Sequence, residues 1–157
     1  MMEENNFNMR LSAIEDKMAI RETFDTFSIL ADQKDLQTQS LLFTENAVVE
    51  SYFNGQLTLT FNGRTEIRNG FADFVKNFET LYHLNGQQTV ELNGNTATAA
   101  AYCSVILTGD ENGIKTKTNL GVIYQDEFER VDAKWLITKR KSFFTWQEKL
   151  ALGEAVI

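Results

Sequence analysis

One histidine stands in the chain, His83, in the stretch LYHLNGQQTVELNGNTATAAAY. Imidazole changes charge near neutral pH, so it can take a proton from a reacting atom in one step and return it in another. For that work it needs a carboxylate on its second ring nitrogen, to fix the tautomer and balance the imidazolium. The same residue could also pack against Tyr82 or close a strand with no chemistry at all, and the sequence leaves both readings open. Other chemistries lack their residues. No G-x-S-x-G, H-E-x-x-H, C-x-x-C or G-x-G-x-x-G pattern occurs, so no serine nucleophile, metal or cofactor is expected. The single cysteine, Cys103, lies in an alternating apolar run and reads as a small core residue rather than a reactive thiol.

Composition narrows the partners. The net charge is -7 with no Lys/Arg cluster to interrupt it, which makes nucleic acid and anionic membrane surfaces poor partners. Twelve phenylalanines could fill a core, or line a cavity for a small hydrophobic molecule. The opening MMEENNFNMR lacks the apolar stretch of a signal peptide and no run reaches membrane-spanning length, so a cytoplasmic protein is expected. The 157 residues are read as one domain, 1–157.

The elements that would position His83 follow from hydrophobic period. SAIE (Ser12 to Glu15) has the form of a capping box, with Asp16 as an alternative cap. Ile20, Phe24, Phe27, Ser28 and Ala31 then recur at helical spacing up to ADQKDL. A short helix over Leu36–Phe43 should follow, capped by Asp35. A third is expected in GRTEIRNGFADFVKNF, with Ile67, Phe71, Phe74, Val75 and Phe78 on one face and Gly70 weakening it. Asn-Gly pairs at 54-55, 62-63, 85-86, 93-94 and 112-113 mark candidate hairpin turns, the first between AVVESYF and QLTLTF. From Gln87 onward the period is two, and TVEL, TATAAAYCSVIL, KTNLGVIYQDEFER and KWLITKRKSFF read as a four-stranded meander. The second of these is apolar on both faces, so it is expected to be central and covered on both sides. The class is α+β, a curved sheet wrapped around helices.

In order and spacing, ADQKDL, LFTENAVVE, GRTEIRNGF, LYHLNGQQTVELNGNTATAAAY and DEFERVDAKWLITKR resemble the SnoaL-like branch of the nuclear transport factor 2-like superfamily, over roughly residues 12 to 146. The closing pieces are most similar to the scytalone dehydratase and hexachlorocyclohexane dehydrochlorinase group. The resemblance implies a cone-shaped α+β barrel, with about three helices on a strongly curved, mostly antiparallel sheet that encloses a pocket. It also implies a histidine–aspartate dyad that removes a proton beside a leaving group. Carried over by position, His83 takes the place of the catalytic histidine, Asp32 that of its partner, and Arg140 that of a pocket arginine. Two departures stand out: Phe27 occupies the place of a helix lysine, and no second histidine exists. By the same resemblance a homodimer is expected through the outer face of the meander.

Each site residue has a second reading. Asp32 stands one step beyond the apolar stripe and could face solvent, and a helix C-terminus does not favour its charge without a cation. Arg140 could stand in the pocket and receive developing negative charge, or bridge to Glu127 or Glu129. Phe27, Tyr52, Tyr102 and Phe144 are expected to line the pocket. The tail FFTWQEKLALGEAVI could cover a neighbour or close the pocket mouth. Two functions result: a cofactor-free lyase or isomerase acting on a small apolar or cyclic substrate, or a non-catalytic module that binds a hydrophobic ligand or dimerises.

Overall fold

A computed structural model describes residues 1–153, and the last part of the tail, 154–157, lies outside the described residues. The elements run α1 (Met2–Asp32), α2 (Leu36–Ser40), β1 (Phe43–Phe53), β2 (Gln56–Asn62), α3 (Arg64–Val75), β3 (Thr80–Asn93), β4 (Thr96–Glu111), β5 (Ile114–Val131) and β6 (Lys134–Ala151).

Helix α1 buries Ile20, Phe24, Phe27, Ser28 and Ala31, the stripe its spacing demands. It begins at Met2 rather than Ser12, because neither proline nor glycine precedes the capping box to break the helix. Asp16, freed from capping, accepts hydrogen bonds from Arg130 Nη2 at 2.7 Å and Trp135 Nε1 at 3.0 Å, and so ties α1 to β5 and β6. Burial works to raise the Asp16 carboxyl, but the Arg130 and Trp135 donors outweigh it and hold it below its ordinary value of 3.8. With the folded value below the unfolded one, this stability is complete above the unfolded value and is lost as pH falls through the folded one. D16N should therefore cost about 1.5–3 kcal/mol in urea unfolding at neutral pH. The deficit relative to wild type should shrink as the pH is lowered below 3.8.

Six strands form one mixed sheet in the order β2-β1-β6-β5-β4-β3. All neighbours are antiparallel except β1 and β6, which run parallel. The sheet has free edges at β2 and β3, so the expected barrel is not closed. Register shifts at Ser51/Tyr52, Asn85/Gln88, Gly121/Val122 and Glu127/Phe128 bend these long strands, which lets the sheet curl around α1. The core lies between α1, α3 and the concave face, with Phe24, Phe43, Ile67, Phe128 and Ile137 fully buried.

Three of the Asn-Gly pairs lie at hairpin turns: Asn54-Gly55 and Asn112-Gly113 take left-handed φ at both residues, and Asn93-Gly94 opens the β3–β4 turn with Gly94 alone left-handed. Gly63 instead caps α3, and Asn85-Gly86 lies inside β3 beside its bulge. The β5–β6 hairpin turns on Asp132 (φ 47°) and Ala133 (φ 62°), without glycine. Helix α2 stops at Ser40, since Phe43 is already drawn into β1; Asp35 caps it by accepting from Thr38 N–H at 3.1 Å. Helix α3 ends at Val75, which leaves Phe78 outside it and Phe74 exposed. Gly70 on α3 has a reason to be glycine, since a side chain there would collide with the Phe61 ring packed over it.

Strand β4 corrects one expectation. Its concave face, Ala97 to Leu107, is buried, but Thr98, Tyr102 and Ser104 on the convex face are exposed, so the strand is covered on one side only. No helix among the described residues is long and apolar enough to cross a membrane.

Candidate active site

The site begins where α1 ends. Lys34 takes a left-handed φ of 57°, and the Asp35 N–H returns to the Leu30 carbonyl at 3.0 Å, which turns the chain sharply off the helix. Lys34 Nζ then donates to the Phe78 carbonyl at 2.5 Å, just ahead of β3. A turn and a half earlier, Ser28 Oγ donates to Asn85 Oδ1 at 2.8 Å, and Asn85 Nδ2 donates to Asp25 Oδ1 at 2.8 Å. The last turns of α1 are thus laced to the start of β3. Asn85 resembled a turn residue because the pair Asn-Gly carries that signal; the bulge in β3 turns its amide toward the helix instead.

Within this lacing, Asp32 spends both oxygens on one residue. Oδ1 lies 2.6 Å from His83 Nδ1, and Oδ2 accepts the His83 backbone N–H at 3.1 Å. His83 lies within β3, earlier than the strand expected at TVEL, and its side chain is 9% exposed against 27% for Asp32. The imidazole orients with Nδ1 toward the carboxylate, which leaves Nε2 as the nitrogen free to act.

His83 lines a cavity of about 140 Å³ under α1. That volume is close to the ~150 Å³ at which an apolar cavity admits a benzene ring. The walls are mainly apolar, from Phe27, Phe53, Phe71, Leu81, Val105 and Phe144 among others. Of the expected pocket residues, Phe27 and Phe144 are in this lining; Tyr52 and Tyr102 are not. Both tyrosines fall on the convex phase of their strands, where Tyr52 stacks on Phe143 at 4.7 Å and donates to Glu50 at 2.8 Å, while Tyr102 is exposed.

The cavity also holds a row of hydroxyls that the sequence did not single out together. Ser51 on β1 pairs with Ser142 on β6, and Ser142 pairs with Tyr124 on β5, so three hydroxyl residues lie side by side across three strands. All three are buried and line the cavity, and none has a side-chain hydrogen bond among the described residues. Ser51 was legible only as a member of the inward phase Ala47, Val49, Ser51. Gln39 joins them, its Nε2 held by the Phe27 carbonyl at 2.9 Å.

Arg140 stands behind the lining rather than in it. It is fully buried, and its carboxylate partner is Asp126, not Glu127 or Glu129. Nε and Nη2 donate to the two Asp126 oxygens at 2.8 and 2.7 Å, and the guanidinium lies 4.1 Å from the Phe27 ring and 4.3 Å from the Tyr124 ring. Burial would pull the arginine down, but Asp126 beside it holds it above its ordinary range. Nη1 is buried with no hydrogen-bond partner among the described residues. Burial likewise raises the Tyr124 phenol and pushes the Cys103 thiol up to about 12, so both are neutral near pH 7. Among the described residues no group of histidine, cysteine and carboxylate side chains could hold a metal ion.

The SnoaL-like domain family matches residues 12–141. The chain belongs to this family. Solved structures show the same fold. A hexachlorocyclohexane dehydrochlorinase of Novosphingobium barchaimii superposes with a TM-score of 0.78 at 16% identity, over 94% of this chain and 99% of that one. A candidate scytalone dehydratase of Novosphingobium aromaticivorans gives 0.74 at 18% identity, over 90% and 91%. From the same organism, an NTF2-like protein with a cystatin-like fold gives 0.71 at 25% identity, over 90% and 89%. Among curated proteins none matches the sequence. The SnoaL-like chain therefore has the cone-shaped α+β architecture of the nuclear transport factor 2-like superfamily, with three helices on an open, curved sheet.

Proposed function

We propose that this SnoaL-like protein is a cofactor-free lyase or isomerase that removes a proton from carbon in a small, mostly apolar substrate of about one ring. The observation that carries the reading is the His83–Asp32 contact of 2.6 Å at the wall of an apolar cavity. His83 Nε2 takes the proton, and Asp32 stabilises the imidazolium that forms. The electron pair released at carbon moves toward a substrate carbonyl oxygen, and Ser51, Ser142 and Tyr124 stand as donors for that oxygen. The three hydroxyls line the cavity without side-chain partners of their own among the described residues, so a substrate oxygen that engages the row is favoured over a bare hydrocarbon. Arg140 has Asp126 already, and acts by fixing Phe27 and Tyr124 rather than by touching substrate. The imidazolium then returns the proton, either to a departing hydroxyl, which leaves as water, or to a more distant carbon, which shifts the double bond.

Both outcomes convert a β-hydroxy or β,γ-unsaturated cyclic ketone to a conjugated enone, which absorbs in the near ultraviolet. A panel of such one-ring ketones, followed at that absorbance with the wild-type protein, tests the reading. Catalysed enone formation supports it. Ketone binding without turnover favours the rival, a hydrophobic-ligand module. The proposal extends to one functional domain over residues 1–157, a cytoplasmic protein, and a homodimer through the convex sheet face, where Tyr82, Leu84 and Tyr102 are exposed.

A further inference from the structure

Helix α1 is 31 residues long, yet its buried stripe starts only at Ile20. Ahead of it, on a different face, a second apolar stripe points to solvent: Phe7, Leu11, Ile14 and Met18 are all exposed. The spacing alternates four and three residues, the seam of a coiled coil. The seam is closed at its C-terminal end by charge. The next two seam positions are Arg21 and Asp25, which pair with each other at 3.0 Å, and Arg21 also donates to the Gly86 carbonyl at 2.8 Å. Beyond them the helix is committed to its own sheet.

The residues flanking the seam sort by sign. Arg10 and Lys17 border one side, Glu15 and Glu22 the other, and none of the four makes an ion pair among the described residues. If two such helices lie parallel and in register, Arg10 faces Glu15 of the partner subunit and Lys17 faces Glu22 of the partner subunit, each contact repeated by the two-fold axis. In an antiparallel pair, basic flanks meet basic flanks and acidic meet acidic. The charges therefore choose both the occupant and its direction.

We propose that residues 7–22 of α1 form a self-association surface, which takes the same segment of a second copy of this chain in a parallel, in-register pair. Burial of the four apolar side chains drives the contact, and the flanking charges set its orientation. This surface is distinct from the convex sheet face.

The test is the mass of the full chain in solution by light scattering on a sizing column, with far-UV circular dichroism to show that each variant keeps its fold. Wild type should run as an oligomer; L84K/Y102K, which disrupts the sheet face, should still run as a dimer, and adding L11K/I14K to that chain should give a monomer. R10E/K17E should weaken association by at least tenfold, and adding E15K/E22K to the same chain should restore it, since the pairing is then reversed but intact. A monomeric wild type overturns the proposal. So does an L84K/Y102K oligomer that the further change L11K/I14K leaves intact, and so does a failure of the four-fold charge reversal to rescue. Dissociation by L84K/Y102K but not by L11K/I14K assigns association to the sheet face and overturns it as well.

Discussion

H83Q should lower kcat/KM for enone formation by about 10²–10⁴-fold, the range by which positioned general bases accelerate proton transfer. Glutamine keeps a side chain of similar reach in the cavity but offers no nitrogen basic enough to hold a proton. Ketone binding should change little, because the cavity wall is otherwise apolar and the hydroxyl row is intact. The loss should therefore fall on kcat and leave KM close to wild type. D32N should approach the same loss by a different route. Its amide can present N–H to the ring, which favours the tautomer with the proton on Nε2 and takes the lone pair away from the cavity. Nitrogen-15 NMR of the only histidine separates the two causes. Wild type should show Nδ1 protonated in the neutral ring, and D32N should show a shift toward the other tautomer. Equal turnover in wild type, H83Q and D32N would end the case for a dyad.

Removing Asp126 should have the largest effect on stability. D126L leaves the Arg140 guanidinium fully buried with all three nitrogens unpartnered, and breaking such a pair costs about 3–5 kcal/mol. R140M, which leaves the carboxylate buried alone, should cost a similar amount. The double variant D126L/R140M removes both charges together and should recover most of the loss, since apolar replacement of a buried pair is often neutral or stabilising. Denaturant unfolding of the four proteins at neutral pH gives the cycle. Strict additivity of the single losses would show that the two residues do not act as a pair. The double variant should also loosen Phe27 and Tyr124, which sandwich the guanidinium. A stable D126L/R140M protein with reduced turnover would assign Arg140 a positioning role.

Arg140 shows where reading by period runs out. Along β6 strict alternation sets Arg140 in the opposite phase to Trp135 and Ile137, so the three cannot all face one side. The structure buries all three. Opposite Phe128 and Glu127, β6 pairs through Ile137 and Lys139, and Thr138 is the extra residue that flips the phase. A bulge is fixed by the register of neighbouring strands, and no local signal in KWLITKRK announces it. Hence Asp126 came into partnership where Glu127 or Glu129 was expected. The parity of β1 likewise sends Tyr52 to the convex face and Ser51 to the cavity.

Local chemistry sufficed elsewhere, because each decision involved residues close in the chain. The stripe from Ile20 to Ala31, the Asp35 cap, the Asn54-Gly55 turn and the alternation through β4 are of this kind. From them the sequence by itself determined an α+β chain of two helices, a hairpin, a third helix and a meander, with one imidazole at the last junction. Tertiary structure alone decided the parallel seam of β1 on β6, the open edges of the sheet, and the meeting of Asp32 with His83, 51 positions further along the chain. It also gathered Ser51, Tyr124 and Ser142 from three strands into one row. Local residue types dictate which elements form; their register and curvature depend on how all the long strands settle around α1, and that is a property of the packed whole.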